Sequence, residues 1–388
     1  MSFFIETSWG SMNKYGEELC GDKVEIIRHE DDSALLVLSD GMGSGVKANI
    51  LASLTSKIIA TMVSAGAAMN DVVETIASTL PVCREREVAY STFTMMQVDA
   101  DGGAYLVEFD NPSLILLRQG KHTYIPWEER TIYGKRVREA HVQLELGDIA
   151  VTFSDGVIHA GVGMLLNLGW QHEEVVAFLE ERHTPEDTAA DVQHRLLTQC
   201  GDLYQGHNGD DTTVAVLRVC EPRPCCVMVG PPVHPEDDED VVNDLLSCPG
   251  IKVICGGTTS QIVSKRLNAD LEIDLDYISP DIPPIAHMAG IDLVTEGVVT
   301  LGKTLEILER YAAVRDTAIL QEKRDGAYLL AETLASKCTS VRFIVGRALN
   351  PAHQNPDMPI SLSIKLRLVK DIAKCLSSMG KRTQLRYC

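Results

Sequence analysis

The segment Leu35-Leu36-Val37-Leu38-Ser39-Asp40-Gly41-Met42-Gly43-Ser44-Gly45 decides the fold of this chain. Its apolar run is typical of a buried strand that ends in a carboxylate, and the glycines that follow permit a tight turn before an amphipathic helix. The pattern recurs at 149–156, where a second apolar run ends at Asp155-Gly156. A third carboxylate pair, Asp210-Asp211, precedes the apolar segment 212–217. Aspartates at three strand edges predict a shared cation site.

Length and composition limit the class of protein. A chain of 388 residues is long enough for about two domains of ordinary size. The formal net charge of -20 disfavours a nucleic-acid partner, since phosphate binding requires clustered Lys and Arg. Divalent cations suit this charge better.

Cysteine usage and the N-terminal sequence both predict a soluble cytoplasmic protein. The eleven cysteines are scattered and form no Cys-x-x-Cys pair, so neither a disulfide framework nor a zinc site is indicated. The first residues show no basic and apolar pattern typical of a signal peptide. The most apolar long segment, 48–68, contains Lys57 and several hydroxyl residues, which favours a packed helix over a membrane span.

The pattern of elements changes at Glu221-Pro222-Arg223-Pro224, which predicts a domain boundary between 1–221 and 222–388. Before it, runs of period two separated by short turns indicate an antiparallel meander with helices at 48–63, 70–80, 172–181 and 186–203. After it, strands alternate with helices, which predicts a smaller α/β domain with a largely parallel sheet.

The aspartates predict metal chemistry because they cannot easily share one site as free anions. Like charges at close range repel, and one or more would have to be protonated in the absence of cations. Oxygen-only coordination favours Mg²⁺ or Mn²⁺ over zinc or copper. Two such ions can activate water and hold a phosphoryl oxygen, which indicates hydrolysis of a phosphate ester.

The order and spacing of four aspartate blocks resemble the metal-dependent PP2C-type serine/threonine phosphatases, in particular the bacterial SpoIIE branch. A single Asp-Gly is also a common turn, so only the ordered set indicates this family. The resemblance covers residues 1–220 and not the C-terminal domain. The blocks are Gly21-Asp22, Ser39 to Gly45, Ser154-Asp155-Gly156 and Asp210 to Val214.

The resemblance implies an α+β fold, an αββα sandwich of two antiparallel sheets flanked by helices, with two Mn²⁺ or Mg²⁺ ions at one end. Asp40, Asp155 and Asp210 would be the catalytic carboxylates. The implied ligands are Asp40 to both ions, the Gly41 carbonyl to one, Asp155 and Asp210 to the other, Asp22 directly or through water, and Asp211, ranked below Asp210.

The resemblance further implies hydrolysis of a phosphoserine or phosphothreonine protein by a metal-bridged water. Relatives in this branch act on small anti-sigma-factor antagonists, so a partner of that kind is expected, with no nucleic-acid or membrane partner. The C-terminal domain would regulate the activity. A homodimer is compatible with the sequence.

Two positions depart from the eukaryotic pattern of this family. Met42 occupies the place of a His that can protonate the leaving group, and the stretch Glu17-Glu18-Leu19 is acidic where an Arg grips the phosphate. The competing hypothesis is therefore a weakly active or inactive phosphatase-like sensor. Its C-terminal domain would bind an anionic metabolite and signal to a protein partner.

Several polar motifs have simpler explanations. Asp110-Asn111-Pro112 is first a hairpin turn, and His159 and His207 are more often loop residues than catalysts. The acidic run 235–240 is what a helix dipole favours in a first turn.

One motif of the C-terminal domain predicts ligand binding. Gly256, Gly257, Thr258 and Thr259 follow a predicted strand and open a helix near Ser260, where free amides and hydroxyls could hold an anion. A plain turn capped by Thr is an equally good interpretation.

Overall fold

The computed structural model describes residues 3–29, 31–79, 91–274, 279–348 and 360–388. It divides into two compact units, Met1–Glu221 and Pro222–Cys388. Each unit has its own sheets and core and is described by itself.

The first unit alternates antiparallel strands with two groups of helices. In chain order its elements are β1 (Phe4–Met12), β2 (Asp22–Arg28), β3 (Ala34–Gly41), α1 (Gly45–Ser64), α2 (Met69–Thr79), β4 (Ser91–Val98), β5 (Gly103–Phe109), β6 (Ile115–Arg118), β7 (Lys121–Thr123), β8 (Glu128–Ile132), β9 (Lys135–Gln143), β10 (Ile149–Phe153), α3 (Asp155–Ile158), α4 (His172–Arg182), α5 (Ala189–Tyr204) and β11 (Thr212–Cys220).

These strands form two antiparallel sheets. One has the order β1-β11-β10-β6-β7 and the other β2-β3-β4-β5-β9-β8. All pairings within them are antiparallel, which confirms the predicted meander. The short strands β7 and β8 are not predicted from the sequence, because their largely exposed side chains give no clear alternation.

Strand β3 shows why the unit has four layers. Leu36 and Leu38 on one face pack between the two sheets with Met96 and Leu217. Leu35 on the opposite face packs under α1 and α2. Since successive side chains of a strand point to opposite faces, an unbroken apolar run is the pattern of a strand covered on both sides.

The other sheet is covered in the same way, which completes the predicted αββα sandwich. Val151 and Val216 pack under α4 and α5 with Leu179 and Leu196. The fold class predicted for this unit is therefore confirmed.

Helix α1 is long and apolar enough to cross a membrane by length and composition alone. A core helix passes the same test, however. Here Leu51, Ile59 and Ala60 pack against the sheet that contains β3, so the helix has a place in the core of the unit.

The second unit alternates strands and helices. Its elements are β12 (Pro224–Val229), a 3₁₀ turn (Pro235–Asp237), α6 (Asp238–Leu246), β13 (Ile251–Cys255), α7 (Gly257–Leu267), β14 (Glu272–Ile273), β15 (Ala286–Met288), β16 (Ile291–Thr295), α8 (Val298–Val314), a 3₁₀ turn (Thr317–Gln321), α9 (Gly326–Glu332), a π-helical turn (Thr333–Lys337), β17 (Ser340–Val345), α10 (Ile360–Ser378) and β18 (Arg382–Tyr387).

The sheet of this unit is largely parallel, as predicted. Five consecutive strands, β16-β13-β12-β17-β18, are parallel, and β14 and β15 add an antiparallel edge. Helices cover both faces: α8, α9 and α10 pack on one, and α6 and α7 on the other. Strands β13 and β16 lie on one side of β12, and β17 and β18 lie on the other, so the strand order reverses between β12 and β17. Sheets of this type bind ligands at the carboxyl edge beside such a point.

The sequence misplaced the beginning of α7 and overlooked β18. Helix α7 begins at Gly257 and not near Ser260, so the two threonines lie within its first turn. Strand β18 has no buried residues. Its polar sequence gives no strand signal, because its pairing with β17 depends on backbone hydrogen bonds.

A buried ion pair fixes the junction between α4 and α5. The carboxylate of Asp187, 6% exposed, accepts hydrogen bonds from Arg195 at 2.7 and 2.9 Å and from the amide and hydroxyl of Thr184 at 3.0 and 2.9 Å. Burial alone would raise the pKa of Asp187, but the bonds from Arg195 and Thr184 outweigh it and hold the pKa below its usual value.

Replacing Asp187 tests the contribution of this ion pair. A lowered pKa stabilises the fold above the unfolded value of about 4, and this contribution is lost as the pH falls through the folded pKa. Asp187→Asn should therefore lower the free energy of unfolding by about 1–3 kcal/mol at neutral pH, and the difference should shrink in acid. Urea denaturation at several pH values measures it. Asp202→Asn, an exposed change on α5, is the control, and equal losses at all pH values would contradict the assignment.

Candidate functional site

Strand pairing brings the first two predicted aspartates together. In the β2–β3 hairpin Asp22 lies directly opposite Asp40, at the end where β3 stops. Residues opposite each other in an antiparallel pair are close neighbours. The hairpin therefore places two carboxylates side by side.

A buried serine connects this hairpin to the other sheet. Ser154, between β10 and α3, donates its hydroxyl to Asp22 Oδ2 at 2.7 Å and accepts from the Thr213 amide at 2.9 Å. Ser154 and Thr213 are fully buried. This bond holds the ends of β2, β10 and β11 at one rim of the sandwich.

Three more aspartates lie at the same rim and complete what we call the aspartate cluster. Asp155 is the first residue of α3. Asp210 and Asp211 lie directly before β11, in the loop that follows α5. Asp211 is 4% exposed, whereas the side chains of Asp155 and Asp210 are 49% and 36% exposed. The cluster consists of Asp22, Asp40, Asp155, Asp210 and Asp211.

Mutual repulsion shows in the pKa values of the cluster. Burial, followed by the charges of Asp22, Asp155 and Asp210, raises the pKa of Asp40 to about 9. Burial also raises the pKa of Asp22 to about 6, although the hydroxyl of Ser154 opposes it. The pKa of Asp155 is raised by burial and by Asp210. The cluster therefore resists ionisation unless positive charge compensates it.

Two orphaned oxygens indicate what would compensate it. Asp22 Oδ1 and Asp211 Oδ2 are buried and have no hydrogen-bond partner among the described residues, and a buried acceptor without a partner is costly. Hard divalent cations take oxygen ligands, so the residues present fit Mg²⁺ or Mn²⁺.

The described residues do not form a closed metal-ligand set as they stand. No group of three or more His, Cys, Asp or Glu side chains among them is arranged so that it could hold a metal ion. The assignment of ligands, including the Gly41 carbonyl, therefore stays a prediction. The structure shows that the aspartates lie close enough for their charges to raise one another's pKa.

Two glycines allow the elements at the rim to approach closely. A Cβ on Gly41 would lie 2.1 Å from the carbonyl oxygen of Ala48 in α1, and a Cβ on Gly156 would lie 2.1 Å from that of Asp211. Since these neighbours are backbone atoms, no side-chain movement could make room. Glycine is required at both positions for α1 and β11 to reach the rim.

Two basic side chains lie at the rim: Lys14, which the sequence did not indicate, and His159, which was interpreted as a loop residue. Lys14, in the loop after β1, places Nζ 3.7 Å from Asp210 Oδ1 and donates its amide to Asp211 Oδ1 at 2.9 Å. His159 Nε2 lies 3.9 Å from Asp155 Oδ2. Lys14 stands in no aspartate block, so only the fold could reveal its position, whereas His159 follows Asp155 by four residues and its proximity could be read from the sequence.

Of the positions that depart from the family pattern, Glu17 has a structural role, and Met42 offers no ionisable group. Glu17 accepts a hydrogen bond from the hydroxyl of Ser44 at 3.0 Å and so holds the glycine loop after β3. Met42 is half-buried and has no ionisable group. No arginine takes part in the described hydrogen bonds or ion pairs of the cluster.

The remaining polar motifs divide between the rim and the surface. Asn111 donates to Thr94 Oγ1 at 2.8 Å and to the Phe153 carbonyl at 3.2 Å, so it joins the two sheets beside the cluster. His207 packs against Tyr15, with ring centroids 4.6 Å apart. The Gly256–Thr259 motif lies in the second unit, at the carboxyl end of β13.

Comparison with known families agrees with the resemblance seen in the sequence. Residues 30–220 match the family model of stage II sporulation protein E (SpoIIE). The match spans just under half of the chain and leaves the second unit unassigned. The predicted resemblance is confirmed over this region. No curated protein sequence gives a significant match.

Several solved structures are similar to the chain. The phosphatase domain of the cell-fate determinant SpoIIE from Bacillus subtilis is 19% identical, with a TM-score of 0.45, over 57% of this chain and 94% of that one. A longer SpoIIE fragment from the same organism is 21% identical, with a TM-score of 0.48, over 56% and 63%. The RsbU and RsbW domains of a Mycobacterium tuberculosis protein are 17% identical, with a TM-score of 0.44, over 63% and 68%. These likenesses are weak, and the chemistry of the site rests on the residues of this chain.

Replacing Asp40 in the aspartate cluster should raise the melting temperature of the metal-free protein and abolish its stabilisation by Mn²⁺. Because the pKa of Asp40 is raised, folding takes up a proton, and stability falls as the pH rises from about 4 towards 9. Asp40→Asn removes the carboxylate and with it the loss of stability that proton uptake causes near neutral pH. The melting temperature of the protein in EDTA should therefore rise by at least about 2 °C. The rise that Mn²⁺ produces in the wild type should be lost.

Differential scanning fluorimetry in EDTA and in Mn²⁺ measures both effects. Asp202→Asn should respond to Mn²⁺ like the wild type. An undiminished Mn²⁺ effect in Asp40→Asn would mean that the ion binds elsewhere.

Proposed function

With residues 30–220 matched to the SpoIIE family, we propose that this chain is a metal-dependent protein phosphatase acting on phosphoserine or phosphothreonine. The single observation that carries the proposal is the aspartate cluster, in which burial and mutual repulsion raise the pKa of Asp40 to about 9. A fold that keeps such a costly arrangement needs compensating cations, and functional sites are where such perturbed groups concentrate.

Two Mn²⁺ or Mg²⁺ ions are the proposed cofactors. Divalent ions of this type supply Lewis acidity for phosphoryl transfer when bound. Asp22, Asp40, Asp155 and Asp210 would hold them with the Gly41 carbonyl, and the exposed side chains of Asp155 and Asp210 can rotate towards a shared ion. Asp211 accepts the Lys14 amide through Oδ1, which positions this loop, and its unpartnered Oδ2 would be a further ligand, ranked below Asp210.

The chain's own residues provide the rest of the site. Lys14 Nζ stands at the exposed side of the cluster, where an ammonium would contact the phosphoryl oxygens of a docked phosphopeptide. Met42 offers no proton, whereas the exposed imidazole of His159 lies within 4 Å of the cluster and is the side chain placed to donate one.

The proposed substrate is a phosphoprotein, in keeping with the resemblance to enzymes that act on anti-sigma-factor antagonists. The net charge of -20 would not attract an anionic partner over long distances. Recognition would therefore depend on the local surface around the cluster. A cytoplasmic location and regulation of this activity by residues 222–388 belong to the same proposal.

A phosphatase-like sensor is the second candidate. Glu17 at the glycine loop and Met42, two positions after Asp40, favour it, because the carboxylate of Glu17 would repel a phosphate and Met42 has no proton to donate. Under this proposal the second unit would bind an anionic metabolite, and turnover at the aspartate cluster would be negligible.

Hydrolysis assays separate the two candidates. Purified protein should hydrolyse p-nitrophenyl phosphate and a phosphothreonine peptide in Mn²⁺ but not in EDTA. Asp155→Asn should lower kcat by about 100-fold or more, since it removes a charged ligand from the proposed site. Asp202→Asn should keep wild-type rates. Absence of Mn²⁺-dependent turnover in the wild type would favour the sensor, and full activity in Asp155→Asn would exclude the proposed site.

The role of Lys14 can be tested through binding of the substrate. Lys14→Met should raise KM for the phosphothreonine peptide by about 10-fold, the loss of one charge-assisted contact, with a smaller change in kcat. Lys14→Arg should restore most of the affinity. A large fall in kcat with KM unchanged would instead indicate that Lys14 acts through its contact with Asp210.

A further inference from the structure

A cavity of about 260 Å³ lies at the carboxyl edge of the sheet in the second unit. It is bounded by the residues that follow β12, β13, β16 and β17, beside the point where the chain changes direction across the sheet. Open parallel sheets place their ligands at this edge. The lining residues that matter here are Gly230, Gly256, Gly257, Thr259, Glu296 and Lys365.

Two helices begin at this cavity. The first intrahelical bonds run from the Ser260 amide to the Gly256 carbonyl in α7, and from the Leu301 amide to the Gly297 carbonyl in α8. The amides before them have no partner within their helices. The two loops nearly touch, because a Cβ on Gly297 would lie 3.8 Å from the Cα of Gly256. The positive ends of both helix dipoles therefore converge on one space.

Thr259 favours ligand binding at the beginning of α7 over a plain turn capped by Thr. Its side chain is fully buried, its hydroxyl has no hydrogen-bond partner within the part of the chain that the structure describes, and it lines the cavity. The N-cap residue of α7 is Gly256, and no side chain caps the helix. A buried hydroxyl without a partner destabilises the fold. An anion in the cavity would provide the acceptor.

Lys365 brings a positive charge to the same space from α10. The residue is 9% exposed, and Nζ donates to the Gly346 carbonyl, a neutral group. Among the described residues no carboxylate lies within ion-pair distance of it. Gly230 leaves room for it, since a Cβ there would lie 2.5 Å from Nζ. Burial lowers the pKa of Lys365, and the charge of the nearby Cys388 opposes this shift without reversing it.

Among the lining residues that the structure describes, Glu296 is the one carboxylate, and it restricts the type of anion. It lies against Gly257, where a Cβ would be 3.2 Å from Oε1, and it accepts from the Gly297 amide at 3.3 Å. Such a carboxylate repels a second anionic group nearby but accepts hydrogen bonds from hydroxyls. A ligand must therefore place its charge near Lys365 and Thr259 and its hydroxyls near Glu296.

From these contacts we infer that the second unit binds a small phosphorylated metabolite that carries hydroxyl groups. Its phosphate is held by the first amides of α7, Thr259 and Lys365, and its hydroxyls by Glu296. The volume of the cavity suits a sugar phosphate. The inference does not depend on activity at the aspartate cluster.

Calorimetric titration of the full chain in EDTA tests this inference. The probes are inorganic phosphate, ribose 5-phosphate, ribose and succinate, and EDTA prevents metal-dependent hydrolysis of the ester. Both phosphates should bind, with ribose 5-phosphate the tighter, and ribose and succinate should not.

Thr259→Val should weaken phosphate binding by about 10-fold, the loss of one hydrogen bond to a charged group. Lys365→Met should weaken it at least as much. Glu296→Gln should tighten binding of inorganic phosphate, because it removes a repelling charge.

Thr300→Val is the matched control. Thr300 is also fully buried in the first turn of its helix, and its hydroxyl likewise has no partner, but it does not line the cavity. It should bind the phosphates like the wild type.

Three results would overturn the inference. They are absence of binding by both phosphates, equal binding in wild type and Thr259→Val, and preference for succinate over phosphate. Because Thr259→Val is isosteric and removes an unsatisfied hydroxyl, the variant should fold even if Lys365→Met does not. Since the readout is heat of binding in EDTA, a failed phosphatase assay would leave this result unaffected.

Discussion

Antiparallel pairing of β2 with β3 places Asp22 opposite Asp40, and the rest of the first unit depends on accommodating that repulsion. The pairing register cannot move by one residue without turning Leu36 and Leu38 away from the core between the sheets. Hydrophobic burial therefore holds two carboxylates at a distance that electrostatics opposes. The raised pKa values at the rim are the consequence of that conflict.

The surrounding structure stabilises the strained rim from several sides. Ser154 supplies a hydrogen bond to Asp22, and close backbone contacts at Gly41 and Gly156 bring α1 and β11 within reach. Since α1 contacts β3 both at the turn and along its apolar face, the rim and the core form one packed structure. Charge added at the rim is thus coupled to the stability of the unit.

The second unit presents the reverse charge arrangement. At the rim of the first unit, two buried carboxylate oxygens lack donors among the described residues, which favours a cation there. At the carboxyl edge of the second, the hydroxyl of Thr259 has no partner among the described residues, and the ammonium of Lys365, which donates to a neutral carbonyl, lies beside the first turns of two helices. The rim of the first unit and the carboxyl edge of the second both lie at the ends of strands, where polar groups are not used in the hydrogen bonds of the sheet.

The sequence by itself determined the elements with strong local signals and the aspartates that end them. The apolar runs before Asp40 and Asp155 and the change of pattern after Glu221 sufficed for the antiparallel strands and the parallel sheet, because hydrophobic periodicity is a local property. The packing of the antiparallel strands as a two-sheet sandwich was implied only by the resemblance of the ordered aspartate blocks to a known family. It did not reveal polar edge strands such as β8 and β18, whose formation depends on partners distant in the chain.

Only the tertiary structure decided which polar groups became neighbours. Lys14 reaches Asp210 across nearly two hundred positions, and Lys365 reaches the cavity from a helix remote from Gly256. The structure also showed that the threonine after Gly257 and Thr258 does not cap a helix but lines a cavity with an unsatisfied hydroxyl. Burial and proximity are properties of the packed chain, so the charge balance of each site exists only once distant segments have come together.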